Sequence, residues 1–223
     1  MNRAATFLEL TRPKFLPLSV IPMLITARYA GLPGEGSLPL LFWCMVGVAM
    51  MHAGANVVND CYDYCLGADK KDTAGRYSGG SGVLPKGLVA VGEAKVLFAV
   101  LFVAAIGIAA GLSRNSAWPI VFALGGTAAG IAYTMPPFKL SYRGYGELLV
   151  ALSFGPGLML STYYVLTGGY STAVFLVSVV IGALIGMVLL LNEFTDAASD
   201  RLAGKRNLAV RIQDILHKLP AAE

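Results

Sequence analysis

The chain has 223 residues, of which 56% are hydrophobic and only 13% are charged. A soluble domain carries about 25% charged residues, so this composition excludes an ordinary soluble protein and predicts one that crosses a membrane several times. In a membrane protein, the net charge of +4 indicates how the chain is oriented in the lipid bilayer. We therefore expect no nucleic-acid partner.

Six apolar runs are candidate membrane spans. They cover residues 15–30, 38–58, 94–112, 117–133, 148–166 and 171–191. At 1.5 Å per residue the last run is roughly 32 Å long, which is enough to cross the hydrocarbon core. We therefore predict an all-α fold, a polytopic transmembrane helical bundle of about six spans, with residues 1–223 as a single integral-membrane domain.

The basic residues predict how these spans are oriented. If the six runs cross the membrane in turn, all but two of the 17 Lys and Arg residues lie on one side of it. The exceptions are Arg28 and Arg114. All but one of the 13 acidic residues lie on that side too, the exception being Glu35. Because basic loops stay in the cytoplasm, we predict a multi-pass protein of the cell (inner) membrane whose acidic motifs face the cytoplasm.

Two acidic clusters follow the second and the sixth run. The first contains Asn59, Asp60, Asp63, Asp69 and Asp72, and the second contains Asn192, Glu193, Asp196 and Asp200. In each cluster an Asn is followed by an Asp four residues later, a spacing that puts both side chains on one face of a helix. Asp60 and Asp63 are three residues apart, and Asp196 and Asp200 are four apart. Like charges at these spacings on a helix repel one another, so a bound cation would relieve the repulsion. Oxygen ligands of this kind suit Mg²⁺, which prefers to share its shell with phosphates.

Basic residues accompany both clusters. Lys70 and Arg76 follow the first, and Lys205 and Arg206 follow the second. A carboxylate–Mg²⁺ site flanked by cations suits a polyanionic leaving group such as diphosphate. With an apolar cavity beneath it, such a site points to a polyprenyl diphosphate as substrate. Loss of diphosphate would leave an allylic cation for an electron-rich aromatic acceptor to attack.

Several sequence blocks resemble the UbiA-type intramembrane prenyltransferases, and among them those that act on 1,4-dihydroxy-2-naphthoate in menaquinone biosynthesis. The blocks are HAGANVVNDCYDYCLGAD from His52, GGSGVLPKGLV from Gly79, YTMPPFKLSYRGYGELLV from Tyr133 and NEFTDAASDRLAGKRNLAVR from Asn192. The resemblance implies a helical bundle whose central cavity holds the prenyl chain beneath cytoplasmic loops. It also implies that the naphthoate acceptor loses its carboxylate as the prenyl group is attached.

The resemblance assigns residues to roles within this site. It implies Mg²⁺ as cofactor, with Asn59, Asp60, Asp63, Asp69, Asp196 and Asp200 as metal ligands. Among these, Asp63, Asp196 and Asp200 are the predicted catalytic residues. Predicted substrate-binding residues are Arg12, Lys14, Lys70, Arg76, Tyr133, Arg143, Asn192, Lys205 and Arg206.

Other readings of the chain stay open at this point. Family members usually have nine spans, so six predict a cavity open to lipid, and hence a truncated or non-catalytic prenyl-diphosphate-binding homologue, or a homo-oligomer completed by another copy. The acceptor could instead be 4-hydroxybenzoate. An ion transporter would carry its acidic residues near the midplane, whereas here they lie at the ends of the spans. The tail 208–219 predicts either an interfacial amphipathic helix or a frayed end.

Overall fold

The computed structural model describes residues 2–32, 37–69, 80–113 and 116–218, and these residues form helices joined by short connections. The α-helices are α1 (Arg3–Leu10), α2 (Pro17–Tyr29), α3 (Ser37–Leu66), α4 (Val91–Leu112), α5 (Trp118–Thr134), α6 (Gly146–Leu152), α7 (Leu158–Thr167), α8 (Thr172–Leu202) and α9 (Leu208–Leu216). Short 3₁₀ helices cover Pro13–Phe15 and Ser141–Arg143, and a π-helical turn, Ser153–Gly157, joins α6 to α7. The prediction of an all-α bundle is confirmed.

A helix lies at each of the six predicted spans. Within the described part of the chain, four helices are long and apolar enough to cross a membrane: α3, α4, the continuous unit Gly146–Thr167, and α8. The other two are shorter, with 13 residues in α2 and 17 in α5. Pro at the first or second position starts both short helices, as expected for a residue that has no amide hydrogen to donate.

The two longest helices continue past their apolar runs and carry the acidic clusters on their last turns. α3 has 30 residues and ends at Leu66, and α8 has 31 and ends at Leu202. We expected the clusters to follow the spans, but most of their residues are helical. The helical backbone satisfies its own polar groups, so it can leave the lipid without a break.

Close backbone packing joins the unit Gly146–Thr167 to α8. A methyl group on Gly155 would press on the carbonyl oxygen of Ser178, and one on Gly182 would press on that of Ala151. Small residues allow membrane helices to approach this closely. The contact fixes α8, and with it the second acidic cluster, against the wall formed by α6 and α7.

Replacing Gly182 by alanine is expected to destabilise the protein by at least about 1–3 kcal/mol, the usual cost of overpacking, because the clashing atom belongs to rigid backbone. Thermal unfolding in detergent measures this as a lower Tm. Gly107→Ala in α4 is the matched control, since a methyl group there meets nothing within 4 Å. An unchanged Tm for Gly182→Ala would contradict the packing.

The tail forms a docked helix. Asn207 caps α9 by accepting a hydrogen bond from Val210 N, and its amide donates to Asp200 Oδ2 at 2.7 Å. The amide of Leu208 donates to Glu147 Oε1 at 2.7 Å. A carboxylate at a helix N-terminus is favoured by the helix dipole. These bonds tie α9 to both α6 and α8.

Candidate active site

A cavity of about 520 Å³ lies inside the bundle. Its walls come from α2, α3, α4, α5, α8 and the unit Gly146–Thr167, and they are mostly apolar. Arg12, Asn59, Tyr133 and Asn192 also line it, and the bonds of Asn59 connect this part of the wall to the acidic clusters. The cavity therefore combines a hydrocarbon-like interior with a polar region beside the two clusters.

The first cluster is organised around Asn59 on α3. Its amide nitrogen donates to Asp63 Oδ2 at 2.7 Å and to Thr134 Oγ1 at 2.9 Å, and its oxygen accepts from Arg12 at 3.2 Å. The four-residue spacing thus brings Asn59 and Asp63 together as the helical pattern predicts. Asp60 points elsewhere: it forms a buried ion pair with Arg12 and accepts from Ser81 N at 3.2 Å.

Lys205 joins the two clusters. Its Nζ lies 3.3 Å from Asp63 Oδ2 and 3.5 Å from Asp200 Oδ1, and the residue is only 7% exposed. Burial lowers the pKa of Lys205, but the charges of Asp63 and Asp200 outweigh this effect and hold its pKa well above the ordinary value. The lysine is therefore a permanent positive charge between a carboxylate from α3 and one from α8.

Tyr142, in the turn between α5 and α6, contacts both Asp63 and Lys205 at this junction. Its hydroxyl donates to Asp63 Oδ1 at 2.9 Å, and Lys205 Nζ lies 5.5 Å from the centre of its ring. Burial, followed by the nearby charge of Asp63, raises the pKa of Tyr142. The phenol is therefore a hydrogen-bond donor to Asp63 and keeps its proton.

Asp69 and Asp196 belong to the same electrostatic site. Asp69 is partly buried, and its Oδ2 lies where a side chain on Gly80 would have to stand. Burial raises the pKa of Asp69, as do the charges of Asp63 and Asp196, while Arg12 lowers it. Asp69 therefore senses charges from both clusters as well as that of Arg12.

The predicted basic residues divide into two groups. Arg12 and Lys205 lie in the site, whereas Lys14 Nζ lies over the ring of Phe15, Arg143 donates to Pro137 O, and Arg206 pairs with Asp214 at 3.2 Å on the exposed surface. Lys70, Arg76 and Asp72 lie outside the described residues. The assignments of all these residues to substrate or metal remain predictions.

Sequence reasoning did not find two partners of the site. Thr134 Oγ1 accepts a hydrogen bond from the Asn59 amide, and Glu147 holds α9 beside Asp200 and Lys205. Neither lies within an acidic cluster, and the chain separations of 75 and 61 residues leave no local signal. A weak indication for Glu147 is that it is a charged residue at the start of an apolar run.

The donor set fits Mg²⁺ in its chemistry. The predicted ligands Asn59, Asp63, Asp69, Asp196 and Asp200 all offer side-chain oxygen, which is the ligand that a hard cation requires. Among the residues that the structure describes, no three acidic, His or Cys side chains already form a metal-binding group. Such an incomplete set suits an ion that takes part of its shell from water and phosphate oxygens.

Removing the Tyr142 hydroxyl is expected to weaken the site. In Tyr142→Phe, Asp63 loses one of its hydrogen bonds while the ring beneath Lys205 remains. Losing a hydrogen bond to a metal ligand costs about 10–100-fold in metal affinity. We therefore expect a loss of Mn²⁺ affinity in that range, measured by electron paramagnetic resonance with a diphosphate present. Tyr145→Phe is the control, because Tyr145 is exposed. Equal affinities in the two variants would contradict a supporting role.

Comparison with known proteins places this site in a family context. Residues 19–218 match the UbiA prenyltransferase family. The chain is 27% identical to the 1,4-dihydroxy-2-naphthoate octaprenyltransferase of Bacillus subtilis, over 91% of this chain and 64% of that protein. It is 31% identical to the enzyme of the same name from Mycobacterium tuberculosis, over 96% of this chain and 72% of that protein.

A solved structure shows the same fold. It is a UbiA homolog from Archaeoglobus fulgidus bound to DMAPP and Mg²⁺, with a TM-score of 0.73 and 19% identity, and the match covers 93% of this chain and 69% of that one. This chain thus spans about two thirds of the length of the relatives that it matches. The family match extends over most of the chain and agrees with the fold, so the chain belongs to the UbiA prenyltransferase family.

Proposed function

We propose that this protein transfers a prenyl group from a polyprenyl diphosphate to an aromatic acceptor, with Mg²⁺ as cofactor. The observation that carries the proposal is the junction at Lys205, where carboxylates from two distant helices meet beside an apolar cavity. Such a site offers metal ligands, a buried cation for diphosphate and an apolar space for a hydrocarbon tail.

The residues of the site have separable roles in this proposal. Asn59, Asp63, Asp69, Asp196 and Asp200 would hold Mg²⁺, which when bound supplies charge neutralisation for the departing diphosphate. Arg12 and Lys205 would orient the diphosphate oxygens by charge-assisted hydrogen bonds.

The apolar wall has a separate role. It excludes water from the allylic cation, and the Tyr133 ring lines the cavity where its face can stabilise positive charge.

For the acceptor we propose 1,4-dihydroxy-2-naphthoate, which would lose its carboxylate as the new carbon–carbon bond forms. The support is the name shared by the two bacterial relatives, together with the resemblance of two sequence blocks, YTMPPFKLSYRGYGELLV from Tyr133 and FGPGLMLSTYYVLTG from Phe154. An electron-rich ring needs only to be held against the cation, so this proposal assigns no general base.

The test is prenyl transfer by the 223-residue chain in lipid nanodiscs. Labelled polyprenyl diphosphate and Mg²⁺ are supplied with 1,4-dihydroxy-2-naphthoate or, in parallel, with 4-hydroxybenzoate. We expect product only with the naphthoate. Product only with 4-hydroxybenzoate would replace the proposed acceptor. Absence of product with both, despite Mg²⁺-dependent binding of the diphosphate, would make the chain a non-catalytic binding homologue.

We also propose that the protein lies in the inner membrane with this site facing the cytoplasm. Nearly all of the basic residues lie on the same predicted side of the membrane as the site. Cys65 provides a natural probe: it is exposed on the last turn of α3, whereas Cys44 and Cys61 are buried. An impermeant maleimide is expected to label Cys65 in inside-out vesicles and to spare it in spheroplasts. Cys65→Ser is the control for background labelling, and the reverse pattern would overturn the orientation.

A further inference from the structure

The cavity wall contains a buried polar pair that the diphosphate site does not use. Ser19 on α2 and His52 on α3 are 1% and 8% exposed, and Ser19 Oγ lies 2.5 Å from His52 Nδ1. The imidazole also packs edge-on against the ring of Phe154, with centroids 4.8 Å apart. All three residues line the cavity, so the imidazole is held in a fixed orientation at the cavity wall.

The pair lies deeper in the bundle than the acidic clusters. His52 precedes Asn59 by two helical turns and lies on the same face of α3, a distance of about 10 Å along the helix axis. A molecule that extends from the diphosphate site into the cavity therefore passes this part of the wall. The pair is close enough to meet an acceptor, and too far away to contact the diphosphate.

Three other polar side chains of the cavity wall already have partners in the protein. Asn56 donates to Thr11 O at 3.0 Å, and Ser161 and Thr162 each donate to Leu158 O at 2.9 Å. A histidine ring has two nitrogens that can each take part in a hydrogen bond. Ser19 uses Nδ1, so a molecule in the cavity would meet Nε2.

A hydrocarbon tail cannot form a hydrogen bond with the imidazole nitrogen, but a hydroxylated aromatic ring can. A hydroxyl group buried without a partner costs about 1–3 kcal/mol. We propose that His52 and Ser19 form the acceptor subsite, in which His52 Nε2 hydrogen-bonds a ring oxygen of the acceptor and Phe154 packs against its ring. This inference rests on the proposed function, because it assumes that an aromatic acceptor enters the cavity.

The experiment compares binding of unreactive acceptor analogues that differ by one hydroxyl group. The probes are 2-naphthoate, 1-hydroxy-2-naphthoate and 4-hydroxy-2-naphthoate, and calorimetry in nanodiscs measures their affinities without turnover. We expect the wild type to prefer one of the hydroxylated probes about tenfold, equivalent to 1.4 kcal/mol. In His52→Phe, which keeps an aromatic ring without nitrogen, this preference should disappear.

Ser19→Ala provides a second variant that leaves the imidazole in place but frees its orientation. We expect it to reduce the preference partly, which a purely structural role of His52 would not do. Both variants should bind prenyl diphosphate with Mg²⁺ as the wild type does, and this control establishes that they are folded. If both fail to fold, the wild-type measurement still decides, because no preference for either hydroxyl group would overturn the subsite.

The remaining outcomes separate this inference from the proposed function. A hydroxyl preference that survives in His52→Phe would overturn the subsite while leaving prenyl transfer intact. The opposite combination is also informative. If the hydroxyl preference disappears in His52→Phe but the wild type forms no product with any acceptor, the subsite is supported and the proposed reaction is refuted.

Discussion

Replacing Asp63 by asparagine is expected to reduce prenyl transfer by about 10²–10³-fold, the range seen when one preorganised charge-stabilising group is removed. Asp63 receives hydrogen bonds from Asn59 and Tyr142 and faces Lys205 at 3.3 Å. The amide keeps the size of the side chain but removes its charge, so a proposed metal ligand is lost. Lys205 also loses one of its two carboxylates.

Turnover and Mn²⁺ affinity measured on the same nanodisc sample check this expectation. Both quantities should fall together, since the proposed reaction requires the metal for departure of the diphosphate. Asp214→Asn is the matched control: Asp214 lies on α9 and pairs with Arg201 and Arg206 at the surface, so its loss should leave turnover unchanged. Normal turnover in Asp63→Asn would refute the role of the first cluster.

Replacing Lys205 by methionine is expected to have two large and opposite effects. Breaking a buried ion pair costs about 3–5 kcal/mol, because Asp63 and Asp200 are left facing each other without their shared cation. The Tm of the variant should therefore fall in the absence of metal. The same two carboxylates should then bind Mg²⁺ more readily, since Lys205 no longer occupies the space between them.

Thermal unfolding with and without Mg²⁺, in the absence of diphosphate, separates these effects. Magnesium should raise the Tm of Lys205→Met much more than that of the wild type, while affinity for prenyl diphosphate falls. Lys218→Met is the control, because Lys218 is exposed. If Mg²⁺ stabilises the wild type and Lys205→Met equally, the lysine does not compete with metal for the carboxylates.

Local sequence patterns predicted the positions of the helices and one contact within the candidate site. Apolar runs located all six helices that correspond to the spans, and the four-residue spacing placed Asn59 beside Asp63. Both features depend only on helical periodicity. The ends of α3 and α8 were harder to predict, because an acidic turn can continue a helix or follow it, and hydropathy does not distinguish the two.

The junction itself could not be read from the sequence. Lys205 and Arg206 are neighbours with the same charge, yet one is buried between two carboxylates and the other pairs with Asp214 at the surface. The difference arises from the turn at Gly204, whose φ of +74° reverses the chain, and from the bond between Arg206 N and Tyr142 O. Both are consequences of tertiary packing.

The direction of α3 and α8 has an electrostatic consequence. Both helices bring their C-terminal ends to the acidic clusters, and each such end carries roughly half an elementary negative charge. The field at the site is therefore more negative than the carboxylates alone would make it. This field would repel a bare diphosphate more strongly than one whose charge is already neutralised by a metal ion. In the proposed reaction, the helix ends would therefore favour binding of the metal before the diphosphate or together with it.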